Sequence, residues 1–185
     1  TKEEALNYCL ENDTLPRRND LPTAAIVGLE VLKASGCPNG GLPILVMSCP
    51  WLTPYHPDPK GFNMAFVANV LKAFISGGQR YGVFWDWPSM FQGEGRSDPL
   101  TRSQNDSVQR AIQSLSVLYS HEYTTVLRVA SHPPDFPEAY DPLPAGANTA
   151  EYYSRGWTYT ENLWSVWPNK KTLDLSKVTK KHKEG

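Results

Sequence analysis

The sequence predicts a single α/β domain in three layers, a mainly parallel sheet with helices on both faces, and three observations carry that expectation. Short continuous apolar runs recur at "LPILVMS" (42–48), "RYGVFWD" (80–86) and "TTVLRVA" (124–130), the pattern of strands covered on both sides. Segments with helical apolar spacing separate them, and strand–helix alternation implies right-handed crossovers between parallel strands. At 185 residues without a compositional break, the chain supports one core.

Taken in order, residues 1–12 and 23–35 read as helices, the second opening with Pro22 and closing on Gly36. The expected division is therefore a helical N-terminal extension (1–41) and a core (42–168) within one domain (1–175), followed by a basic, flexible tail (176–185). "CPNGG" (37–41) is a turn, and the first strand ends at Cys49-Pro50. After "CPWLTPYHPDPKG", the residues Phe66, Val67, Val70, Leu71 and Phe74 make one apolar stripe of a helix ending at Gly77-Gly78. Asp58 is placed to cap that helix, with Pro59 at its first position. The second strand and a polar loop (88–102) lead to a helix marked by Val108, Ala111, Ile112, Leu115, Leu118 and Tyr119, with Ser103-x-x-Asp106 as its cap. The proline-rich stretch 132–144 after the third strand lacks the donors a sheet interior needs. Finally "RGWTYTENLWSVWP" carries Thr158-x-x-Glu161 as a capping box and Pro168 as a stop.

Composition narrows the functions. With 18 basic and 19 acidic residues the net charge is -1, so the molecule has no electrostatic reason to seek nucleic acid. Lysines 170, 171, 177, 180, 181 and 183 crowd the C-terminus, where a solvated tail is expected rather than a contact with phosphates or an anionic surface. Cys9, Cys37 and Cys49 match no metal-ligand spacing and no disulfide framework; they read as free thiols in a reducing, cytoplasmic compartment. No apolar run reaches the length of a membrane span. Glycine-rich phosphate loops, dinucleotide fingerprints and the G-x-S-x-G elbow are all missing, and no metal or cofactor site is expected.

In a parallel sheet the loops after the strands' carboxyl ends gather on one edge and make the ligand crevice. That rule brings together 51–60, 86–95 and 131–144, the most unusual segments of the chain. Asp86, in "FWDWPSMFQ", is the leading site residue: it ends a strand and is either a ligand-binding carboxylate or a turn acceptor. Of its neighbours Trp85 and Trp87, one is expected in the core and the other in the crevice, stacking on a flat ring. Trp51, Gln92 and Ser131 lie in the same crevice segments. His56 and Asp58 in "YHPDP" offer an acid–base pair, but the flanking prolines favour a rigid turn. Cys49 reads as a buried structural thiol.

The pieces "PILVMSCPWLTPYHPDPKG", "YGVFWDWPSMFQG", "VQRAIQSLSVLYS", "TTVLRVAS" and "SRGWTYTE" resemble, in this order, the Toll/interleukin-1 receptor (TIR) domain pattern over roughly residues 42–165. The layout is flavodoxin-like, and the nucleoside deoxyribosyltransferases share it less well. The resemblance implies either a signalling module, paired with a protein partner or a second copy, or an enzyme that cleaves the nicotinamide–ribose bond of NAD as substrate. In the enzymatic branch a Glu near the start of the helix after the second strand stabilises the cationic sugar. Here that position falls at Gln104 or Asn105, and an amide supplies no negative charge; Asp106 or Glu94 would have to substitute. Gln104 remains a hydrogen-bonding candidate for a ribose hydroxyl. Trp157 and Glu161 would be scaffold residues. The expectation is a TIR-like module binding a nucleotide-type ligand or a protein partner, with N-glycosidic bond cleavage as the alternative.

Overall fold

The computed structural model describes residues 14–34, 42–93, 97–132, 136, 142–143, 146–166 and 172–175. Its centre is a four-stranded, all-parallel sheet of β1 (Ile44–Ser48), β2 (Gly82–Phe84), β3 (Thr124–Arg128) and β4 (Thr172–Asp174), in the order β2-β1-β3-β4. Ile44 pairs with Gly82 on one side and with Thr124 on the other, and Val126 pairs with Thr172. The helices are α1 (Leu29–Ala34), α2 (Phe62–Ile75), α3 (Asp86–Ser89), α4 (Arg102–Ser120) and α5 (Gly156–Val166). Among the described residues no helix is long and apolar enough to cross a membrane.

From β1 the chain crosses through α2 to β2 on one side, then returns through α4 to β3 on the other. Right-handed crossovers in opposite directions put α2 on one face of the sheet and α4 on the other. Packing follows the strand alternation. Leu45, Met47 and Leu127 meet Met64 and Val67 of α2, whereas Val46 and Val126 meet Leu115 and Tyr119 of α4 and Trp164 of α5. Both core clusters are closed by residues that the apolar runs supplied. The fold is a three-layer, flavodoxin-like α/β arrangement, and its strand order reverses between β1 and β3.

Several local expectations change. The predicted helix over 23–35 splits into a short turn (Thr23–Ala25) and α1, because Ile26 is extended and Val27 and Leu29 remain exposed without a core to hold them. Within the expected N-terminal helical extension, residues 14–22 contain no helix; Leu15 is buried in the core beside Trp87. The helix expected over 1–12 lies outside the described residues. α2 starts at Phe62 rather than Pro59, with Gly61 in the left-handed region (φ 69°) that suits glycine. α4 is capped by Thr101, not Ser103: Thr101 Oγ1 accepts from Gln104 N at 3.2 Å while Gln104 Oε1 accepts from Thr101 N at 2.9 Å. The backbone is already helical at Arg102, so Ser103 lies inside the first turn. β4 lies beyond the expected 42–168 core.

The central position of β3 makes a stability prediction. Leu127 is fully buried, so Leu127→Ala should cost about 2–5 kcal/mol in urea unfolding. Leu173 on the edge strand is 43% exposed, and Leu173→Ala should stay within ~1 kcal/mol.

Candidate functional site

The carboxyl ends of β1, β2 and β3 deliver Ser48, Asp86 and Arg128 to one edge of the sheet. β2 stops at Phe84, Trp85 is still extended, and Asp86 opens the single turn α3. Asp86 Oδ1 accepts from Trp87 N at 2.7 Å, which turns the chain; Oδ2 accepts from the indole Nε1 of Trp51, also at 2.7 Å. Burial pushes the Asp86 carboxyl up to about 6, against the downward pull of the bonds from Trp51 and Trp87. The loop behind it is stapled by Gln92, whose amide donates to Asp86 O and Met90 O and whose backbone exchanges two 3.1 Å bonds with Asn19.

Beside this lies a second buried group, where the strand order reverses. Ser48 Oγ stands 2.5 Å from Glu161 Oε2 and 2.5 Å from the Tyr152 hydroxyl. The Trp157 indole also donates to Glu161, and the single hydroxyl hydrogen of Tyr119 is shared between Glu161 and Met47 O, the latter at 3.1 Å. The ionised carboxylate accepts from Ser48, which frees Ser48 Oγ to accept from Tyr152, so every hydroxyl hydrogen is used. Burial is the largest cause of a Glu161 value pushed up to about 7, the negative charge of Asp86 adds to it, and the three donors oppose it. Burial likewise raises Tyr119 and Tyr152. Cys49, next to Ser48, is a free, buried thiol that accepts from Asn63 Nδ2 at 3.6 Å. Burial and then the carboxylates of Asp58, Asp86 and Glu161 push its pKa well up, so it is a poor nucleophile.

The expected residues divide. Trp51 and Asp86 come together. Trp85 and Trp87 do not split between core and crevice: both are buried, at 4% and 6% exposure, in the same cluster. Residues two apart on extended chain share a face, and α3 then folds Trp87 under, its indole donating to Leu15 O at 2.9 Å. His56 is a turn residue: Nδ1 accepts from Asp58 N at 2.9 Å, so Nε2 carries the proton and donates to Leu15 O at 3.0 Å. Burial lowers its pKa and keeps the ring neutral. Asp58 caps α2 through Met64 N at 2.8 Å. Gln104 is occupied in the α4 cap, while Asp106 on α4 and Ser131 beyond β3 are exposed. Glu94 lies outside the described residues, as do Cys9 and Cys37. Among the described residues no group of three or more metal-ligating side chains converges.

Glu161 is the residue that sequence reasoning misplaced. α5 begins at Gly156, and Thr158 Oγ1 donates to Tyr152 O instead of accepting at a cap. Glu161 therefore lies a turn inside the helix, facing the sheet. The signal for it was the spacing in "SRGWTYTE" combined with a serine ending the central strand. Away from this edge, a shallow hollow of about 470 Å³ lies between α4 and α5, lined by Ser116, Val117, Ser120, Leu163 and Trp164. It sits toward the amino ends of the strands, because α4 runs antiparallel to them, and carries none of the shifted carboxyls.

Comparison with protein-family models, curated proteins and solved structures finds no match.

Glu161 makes a pH prediction. Its folded value, about 7, lies above the ordinary 4.5, so the folded state binds the proton more tightly than the unfolded chain. This contribution is complete below about pH 4.5 and is lost as pH rises through 7. Asp86, raised from 3.8 to about 6, acts in the same direction over a lower window. Glu161→Gln should thus flatten the decline in stability between pH 5 and 8 by up to ~3 kcal/mol, read from urea midpoints at stepped pH. Parallel curves for the two proteins would contradict the assignment.

Proposed function

We propose that the chain is a flavodoxin-like module of TIR-like layout that binds a nucleotide-type ligand at the carboxyl edge of its sheet. Asp86 would accept hydrogen bonds from the sugar hydroxyls, and Trp51 would offer its indole face to the base. The observation that carries this reading is the 2.7 Å bond from Trp51 Nε1 to Asp86 Oδ2. It fixes an aromatic plate and a carboxylate side by side at a strand end, the place where parallel α/β sheets hold ligands. Each carboxylate oxygen has two lone pairs, and each accepts one bond from the protein here, so acceptor capacity is left for ligand hydroxyls.

A second reading, cleavage of an N-glycosidic bond in NAD or a nucleoside, is favoured by one feature. Two carboxyls near the same edge, Asp86 at about 6 and Glu161 at about 7, titrate close to neutrality, the range suited to proton transfer. Against it, the position where the resemblance asks for a carboxylate falls at Gln104 or Asn105, both amides, and the Gln104 side chain holds the start of α4. Binding without turnover is therefore preferred.

Calorimetric titration with AMP, NAD and adenosine tests binding, and chromatography of the same mixtures tests turnover. Binding is expected, and Asp86→Ala should weaken it about 10- to 100-fold, the effect of losing hydrogen bonds to a charged group. Release of free base or nicotinamide that disappears in Asp86→Ala would establish the second reading. No heat and no release with all three would remove both.

A further inference from the structure

Residues 146–156 run across the loops that follow β1 and β3. Tyr152 is the only buried residue among them; Ala147 and Arg155 are half-buried and the rest are exposed. A segment with so little apolar burial is held by individual hydrogen bonds and opens at lower cost than the sheet beneath it. The Arg155 guanidinium makes four of those bonds. Its Nε donates to Ala150 O at 2.8 Å, one Nη donates to Asn148 O at 2.7 Å and lies 3.3 Å from His132 Nε2, and the other Nη donates to Trp51 O. One side chain thus ties the segment to itself, to the loop after β1 and to the loop after β3. Asn148 N adds a bond to Leu52 O at 2.9 Å, and Tyr152 meets Ser48 at 2.5 Å.

We propose that residues 146–156 are a strap over the carboxyl edge of the sheet, that Arg155 is its latch, and that the strap swings aside to admit a ligand to Ser48 and Glu161. Every partner of the Arg155 guanidinium among the described residues is a carbonyl oxygen or an imidazole. Releasing it strands no carboxylate, and water can replace each acceptor. The strap is also wired to the proposed ligand site. Trp51 gives its carbonyl to Arg155 and its indole to Asp86, so a ligand that moves Trp51 pulls on the latch. This coupling rests on the nucleotide-binding reading, whereas the strap itself is testable without any ligand.

Cys49 is the built-in reporter: it directly follows Ser48, whose hydroxyl meets Tyr152 of the strap, and its buried thiol is close enough to Arg155 to feel that charge. In a Cys9→Ser, Cys37→Ser background, modification of Cys49 by an aromatic disulfide is followed at fixed pH. Arg155→Ala should raise its rate at least about tenfold, as expected when a local opening is released. Leu115→Ala, which thins the core under α4 without touching Arg155 or Cys49, serves as the control for global unfolding. An unchanged rate in Arg155→Ala, or an equal rise in Leu115→Ala, would overturn the proposal. Should Arg155→Ala fail to fold, amide exchange on the wild type decides. The amides of Asn148, Ser154 and Arg155 should exchange about a hundredfold faster than those of β1, with weaker dependence on urea. Exchange at one common rate would overturn it. Neither readout involves nucleotide, so failure of the strap and failure of the ligand reading are separable.

Discussion

Ser48 ends the central strand with its hydroxyl sealed inside the protein, and the carboxyl edge of the domain is built around giving that hydroxyl partners. A buried hydroxyl without a hydrogen bond costs free energy comparable to the whole gain from several good ones. Glu161 and Tyr152 supply those partners from two different segments, each at 2.5 Å. That requirement fixes how α5 rests on the sheet, and α5 in turn places the Trp164 ring in the core cluster of Val46, Leu115, Tyr119 and Val126. The polar contact and the apolar packing specify the same arrangement.

The edge is unusual in how few opposite charges it pairs. Asp86 is held by an indole and a backbone amide, Glu161 by hydroxyls and an indole, Arg155 by carbonyls and an imidazole. Burial drives both carboxyls up toward neutrality, and neutral donors, which stabilise a buried carboxylate less than a cation does, only partly offset it. Groups of this kind respond to a ligand's hydroxyls or charges more than locked ion pairs would. By contrast the ion pairs of Arg17 with Asp20 and Asp98 lie at the surface, where solvent screening leaves them little effect.

What the sequence disclosed was the local part. Three apolar runs announced β1, β2 and β3, and the stripe through Phe66, Val67 and Val70 announced α2, because burial on both faces or along one stripe dictates residue type directly. Asp58 and His56 were legible as a turn and cap for the same reason: prolines on both sides leave the backbone few choices. Misreadings came where two patterns share a spacing. Thr158-x-x-Glu161 satisfies the capping-box rule, yet α5 starts earlier and Glu161 turns to the sheet. Ser103-x-x-Asp106 satisfies it as well, yet Thr101 and Gln104 make the cap. β4, with Leu173 exposed between Thr172 and Asp174, has no apolar run to betray it; it forms because β3 leaves an edge to pair. Trp85 and Trp87 both entered the core, because residues two apart on extended chain share a face and the turn at Asp86 then folds Trp87 under.

The proposed ligand site is the carboxyl edge at Trp51 and Asp86. It is tested most directly by following the six tryptophan indole N–H signals in a heteronuclear NMR titration with a nucleotide such as AMP. Binding at the carboxyl edge should move the Trp51 signal saturably while the Trp164 signal, beside the hollow between α4 and α5, stays in place. Movement confined to Trp164, or no movement at millimolar nucleotide, would contradict it.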